Sequence, residues 1–168
     1  MVGGSYMDAD GLYRQYGTTK AVPATAGDYL SYGATRTIEV DVDLTTLTAS
    51  PVIQDNVTFF PANSFIESVE VETVIGAVGG TSFSLGTVRT DRSTVISNTT
   101  FLNATVIADH TTAGQLKTYT VGVATVGGGV GTTIGANPAY ITALAAGTYS
   151  AGKLKIRIRY RGVPPITQ

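Results

Sequence analysis

His110 is the only histidine in the chain, and it stands beside Asp109 in a Thr-rich stretch. A histidine–aspartate pair suits general-base catalysis, but it also needs a nucleophile brought close in space. No spacing here supplies one, so the sequence reads His110 as a solvent-exposed loop residue. Asp8-Ala9-Asp10-Gly11 opens like a calcium loop, but no bidentate glutamate follows at the twelfth loop position. Glu39, Asp41 and Asp43 alternate along one segment and could act as paired carboxylates in glycoside hydrolysis if they faced a cleft. Their strict alternation favours a solvated strand face. The glycine clusters at 76–80 and 127–131 lack a Gly-Lys-Ser/Thr and open no helix, so they are not phosphate cradles. With one His and no Cys, metal sites built on these ligands are excluded by count. The expectation is a non-enzymatic chain with no cofactor and no metal.

The elements that carry these residues follow from composition and period. The chain has 168 residues, a length for which one domain is the prior. It carries 11 Lys plus Arg against 12 Asp plus Glu, for a net charge of −1. Charged residues make up 14%, well below the roughly 25% of an average domain, whereas 43% are hydrophobic. Disordered charged tails are thereby excluded, and so are helix-rich folds that need many Lys and Glu. The near-neutral balance lacks the basic excess of a nucleic-acid binder. No uninterrupted apolar stretch is long enough for a membrane helix. Met1–Asp10 shows neither a basic segment nor a signal-length apolar run, so no secretory signal is expected.

From Thr35 onward the pattern has a period of two. Ile38, Val40, Val42 and Leu44 alternate with Glu39, Asp41 and Asp43. Phe65, Val69, Val71 and Ile75 are expected on one side of the next strand, with Ser68, Glu70 and Glu72 on the other. Further strands are expected at 81–89, 94–97, 101–108, 116–124 and 139–144. The clearest is 153–161, where Leu154, Ile156, Ile158 and Tyr160 alternate with Lys153, Lys155, Arg157, Arg159 and Arg161. About eight strands spaced roughly ten to fifteen residues apart predict an all-β, jelly-roll-like antiparallel β-sandwich. One helical turn is allowed near 111–115 or 61–64. The 127–131 glycines read as a flexible exposed loop.

Three segments follow. Residues 1–34 have no sustained period yet hold five of the nine tyrosines. They read as an extended N-terminal arm whose Tyr6, Tyr13, Arg14, Tyr16, Tyr29 and Tyr32 bind a partner, since Tyr buries area at low entropy cost. Residues 35–162 form the sandwich, and 163–168 a short tail after Pro164-Pro165. Five of the eleven basic residues share one face of 153–161, and five acids share the faces of 39–43 and 70–72. Opposite charges on neighbouring strands stabilise a sheet, so Glu39, Asp41, Asp43, Glu70 and Glu72 are expected to pair with the basic strand. A basic patch for nucleic acid is the competing reading of that strand.

Gly11–Pro23, Ile53–Gly86 with its Phe59-Phe60-Pro61 and Phe65–Val69 core, and Gly152–Gly162 resemble small structural proteins of tailed bacteriophages, notably cyanophages and marine phages. The resemblance spans 11–162 and consists of strands and turns. It implies a virion structural protein with a jelly-roll-like sandwich that decorates, or cements, the capsid surface after synthesis in the host cytoplasm. The implied partners are the major capsid protein and the chain itself as a homotrimer, with no nucleic acid and no membrane. A neck or tail component and a host-recognition, carbohydrate-binding module stand as alternatives.

Overall fold

Strand-forming alternation dominates the computed structural model, which describes residues 4–7, 13–16, 35–55 and 57–162. The chain divides into two units, Met1–Tyr32 and Gly33–Gln168. In the first, β1 (Gly4–Met7) pairs antiparallel with β2 (Tyr13–Tyr16), Tyr6 opposite Arg14 and Met7 opposite Tyr13. This ribbon lies within the segment read as an extended arm. Tyr29, Tyr32 and the 163–168 tail lie outside the described residues.

The second unit has eight strands: β3 (Arg36–Asp43), β4 (Val52–Ile53), β5 (Phe65–Gly79), β6 (Ser82–Arg89), β7 (Val95–Val106), β8 (Leu116–Tyr119), β9 (Ala139–Ala146) and β10 (Tyr149–Arg161). They form two antiparallel four-stranded sheets, ordered β3-β10-β5-β8 and β4-β9-β6-β7. First and last strands adjoin, and each sheet takes alternate hairpin arms, which is the double Greek key of a jelly roll. The fold is therefore an all-β sandwich.

Inward residues from both sheets form one core. Ile38, Val40, Val42, Val69, Val71, Leu154, Ile156 and Ile158 come from the first sheet, and Phe83, Leu85, Phe101, Leu102, Ile141 and Ala143 from the second. Each fully buried Leu, Ile or Phe contributes roughly 1.5–3 kcal/mol of transfer free energy. Phe60, in the connection after β4, joins the two layers: its ring centroid lies 5.2 Å from Phe101 and 5.1 Å from Tyr160.

Several local expectations are corrected. Alternation puts Phe65 and Ile75 inward, but Ile66 is buried in place of Phe65 and Ile75 is half exposed. A bulge in β5 accounts for the first: Arg159 opposes Ser68 while the adjacent Tyr160 opposes Ile66, and the extra residue flips the alternation. The expected strands 94–97 and 101–108 are one strand, β7, with a large bulge. From Leu102 to Ser97 β7 takes five steps where β6 takes two, from Leu85 to Thr87. Gly86 permits this, because a Cβ there would run into the Ser97 carbonyl and lie 2.6 Å from the Asn98 Cα. The strand expected over 116–124 ends at Tyr119. The short helical turns are 3-10 turns at Leu44–Thr46 and Ile107–His110.

The glycine-rich loop is tied down rather than free. Gly127 N–H donates to the Phe101 carbonyl (2.8 Å), Gly129 N–H to Thr100 (2.8 Å) and Gly131 N–H to Ile66 (2.8 Å), and Val130 and Ile134 are buried. The loop thus strings together β7 of one sheet and the start of β5 in the other. Glycine serves close backbone approach here, since a Cβ on Gly127 would collide with the backbone of Thr99 and Thr100.

Candidate interaction faces

β10 lies between both acidic strands, so its outward side chains have carboxylates on either hand. In register, Arg157 opposes Glu39 on β3 and Glu70 on β5, and Lys155 opposes Asp41 and Glu72. The ion pairs run mostly along the diagonals. Arg157 Nε donates to Glu39 Oε2 at 2.8 Å while its Nη2 donates to Glu72 Oε2 at 2.7 Å. Lys155 Nζ lies 3.0 Å from Glu39 Oε1 and 4.0 Å from Asp41 Oδ1. Lys153 reaches Asp43 at 3.5 Å, Arg159 reaches Glu70 at 2.9 Å and Arg161 reaches Glu67 at 3.4 Å. Arg157 and Lys155, donating to Glu39, hold its carboxyl below the usual range, and Glu39 in turn raises both cations. Asp43 is also lowered, chiefly by hydrogen bonds from the Thr45 hydroxyl and N–H, with Lys153 adding less.

Sequence reasoning omitted Glu67 from this ladder, because strict alternation points it inward. The β5 bulge brings it out to Arg161. No signal in a single sequence marks such a bulge. Five cations face six carboxylates across three strands, so the ladder is neutral to within one charge, and Val74, Ile75 and Leu116 expose apolar surface at its margin.

The outer face of the second sheet has the opposite chemistry. Its lateral pairs are Ser84–Leu144, Gly86–Thr142 and Val88–Tyr140, all uncharged, and Ser84, Val88, Tyr140 and Thr142 are buried within the chain. The Phe59 ring meets Tyr140 edge-on at 5.9 Å, and the Arg92 guanidinium lies over the Tyr140 ring at 5.5 Å.

His110 is buried, contrary to the solvent-exposed reading. The 3-10 turn carries it inward, where Nδ1 lies 3.1 Å from Thr73 Oγ1 and Nε2 3.0 Å from Tyr119 Oη. The Phe83 ring packs edge-on against it at 5.6 Å. A neutral imidazole has one donor and one acceptor, so two flanking hydroxyls satisfy it completely. Burial lowers its pKa to about 4, Asp109 opposing and Lys117 assisting the shift. Burial likewise raises the Tyr119 phenol, as does Asp109. Asp109 itself is ion-paired with Lys117. The ring is enclosed by core residues with both nitrogens occupied, so the arrangement is a structural plug. Among the described residues no group of three His, Asp or Glu is placed to hold a metal ion, and no helix is long and apolar enough to cross a membrane.

No family model and no curated protein matches the chain. Two likenesses are to chains of solved phage capsids. A chain of the cyanophage Pam1 capsid asymmetric unit superposes with a TM-score of 0.52 at 13% identity, covering 87% of this chain and 96% of that one. A chain of the acid-stable capsid of Helicobacter pylori bacteriophage KHP30 gives a TM-score of 0.47 at 14% identity, covering 78% and 90%. At such identities the likeness is one of fold.

Proposed function

We propose that the chain is a structural component of a phage capsid, a decoration protein that stabilises the head shell by binding the major capsid protein. The observation that carries this reading is the match in extent with the Pam1 capsid chain, which is covered over 96% of its length. A near-complete match of one small sandwich to another is what a shared architectural role requires. A ladder whose charges are mostly paired supports the reading, because unpaired charge at a tight subunit contact would cost desolvation. Many modest contacts repeated over a shell then add up. In this role the protein acts as a homotrimer on the outer capsid surface, without catalysis, cofactor, nucleic acid or membrane. Residues 1–34, with Tyr6, Tyr13, Arg14, Tyr16, Tyr29 and Tyr32, supply the contacts that reach beyond the sandwich.

Cryo-EM of the intact virion with an antibody against this chain tests the proposal. Density on the capsid surface at threefold or quasi-threefold positions is the expected result. Label confined to the neck, tail or fibres overturns it in favour of the alternative roles. Unchanged capsid binding after deletion of 1–34 would remove the arm from the mechanism.

A further inference from the structure

Each sheet has two edges, and the four differ sharply in protection. β4 has two residues and β8 four. β7 is covered where Asn103 N–H donates to Thr125 and Thr100 and Phe101 accept from Gly129 and Gly127. β3 is different. It runs eight residues, without Pro, Gly or Lys, in unbroken register from Asp43 opposite Lys153 to Arg36 opposite Tyr160. At one end of the strand Thr46 Oγ1 donates to the Asp43 carbonyl at 2.8 Å. A long edge guarded by nothing but its charged side chains is a template for an added strand of complementary charge.

Charge selects the occupant. Two β3 edges meeting would set Glu39, Asp41 and Asp43 against the same row, and like charges directly opposite are destabilising. Asp41 has its side chain 81% exposed, and its nearest cation is Lys155 at 4.0 Å. The β1–β2 ribbon has the complementary character: its eight strand residues carry no acid and one cation, Arg14 on β2. A two-stranded ribbon is at best marginally stable by itself and gains a third strand by joining a sheet. We propose that the edge of β3 takes β2, the strand that carries Arg14, from the ribbon of a second copy as an added strand. Each copy then offers one edge and one ribbon, so the contact is head-to-tail and closes into a ring where the rotation allows. This inference rests on the self-association in the reading above, not on capsid binding.

The chain has no cysteine, which makes the test direct. Full-length Tyr16→Cys and Asp41→Cys variants are mixed, treated with a short bismaleimide and resolved by mass. The expected result is a mixed adduct at least tenfold above either homodimer, reduced at least fivefold when Arg14→Glu is added to the Tyr16→Cys chain. Amides of 36–43 in the unmodified protein should exchange at least tenfold more slowly as concentration rises. Dominant Asp41→Cys homodimers, no adduct, or a Tyr16→Cys/Asp41→Cys double variant that closes within the monomer at high dilution each overturns the inference. A chain that binds capsids yet gives no mixed adduct refutes the edge exchange and leaves the capsid reading standing.

Discussion

Acidification should loosen this fold through His110 before it touches the carboxylates. The ring is enclosed, with Thr73 and Tyr119 hydroxyls on its two nitrogens, and its pKa is lowered to about 4. In the unfolded chain it titrates near 6.5. Above that pH both states hold a neutral ring and the stability is fully present. As pH falls from 6.5 through 4, the unfolded chain binds a proton that the folded chain refuses, so stability is lost. Below 4 both states are protonated and the loss levels off. The step from 6.5 to about 4 corresponds to about 3 kcal/mol in full, of which about 2.5 kcal/mol is gone by pH 4.5. Glu39 and Asp43 have lowered pKa values, so their contributions are lost as pH falls below about 4.5, where most of the His110 loss is already complete. Urea unfolding between pH 7.5 and 4.5, on the full chain and on His110→Gln, isolates the histidine. The parent should lose about 2.5 kcal/mol over that range, and the variant, less stable at pH 7.5, should be flat to about 0.5 kcal/mol. Equal slopes in the two proteins, or a His110 ring that titrates by NMR at 6 or above, would refute the reasoning.

Two further outcomes test the fold and the ladder. Gly86→Ala drives a Cβ into the backbone of the β7 bulge, which has no flexible side chain to yield, so thermal or urea unfolding should show a loss of about 2–4 kcal/mol; a change under 0.5 kcal/mol would mean that the bulge shifts freely. Arg157→Gln removes the largest influence lowering Glu39, so the Glu39 carboxyl should titrate at higher pH by NMR, with Lys155 holding part of the shift.

Fold class and charge placement were legible because they depend on alternation, and alternation is local. Ile38–Val42 and Leu154–Tyr160 each declare a buried face and a charged face from their own residues. What alternation could not convey was every departure from it. The β5 bulge moved Ile66 in and Glu67 out, and the β7 bulge merged two expected strands into one. The strand count of the sandwich still came to eight, because that merger was offset by β4, whose two residues after Pro51 are too short for any pattern. The open edge of β3, the feature on which the self-association proposal depends, is invisible in a sequence because an edge is defined by what fails to pair.

By itself, then, the sequence determined that this chain is an all-β sandwich with a near-neutral, alternating charge pattern. Only the tertiary structure decided that β10 sits between both acidic strands, that the glycine loop ties the two sheets together, and that His110 is buried. The physical reason is the same in each case. Strand period is set by the pleat of a single segment, whereas burial, ion pairing and close glycine contacts are set by which distant segments meet.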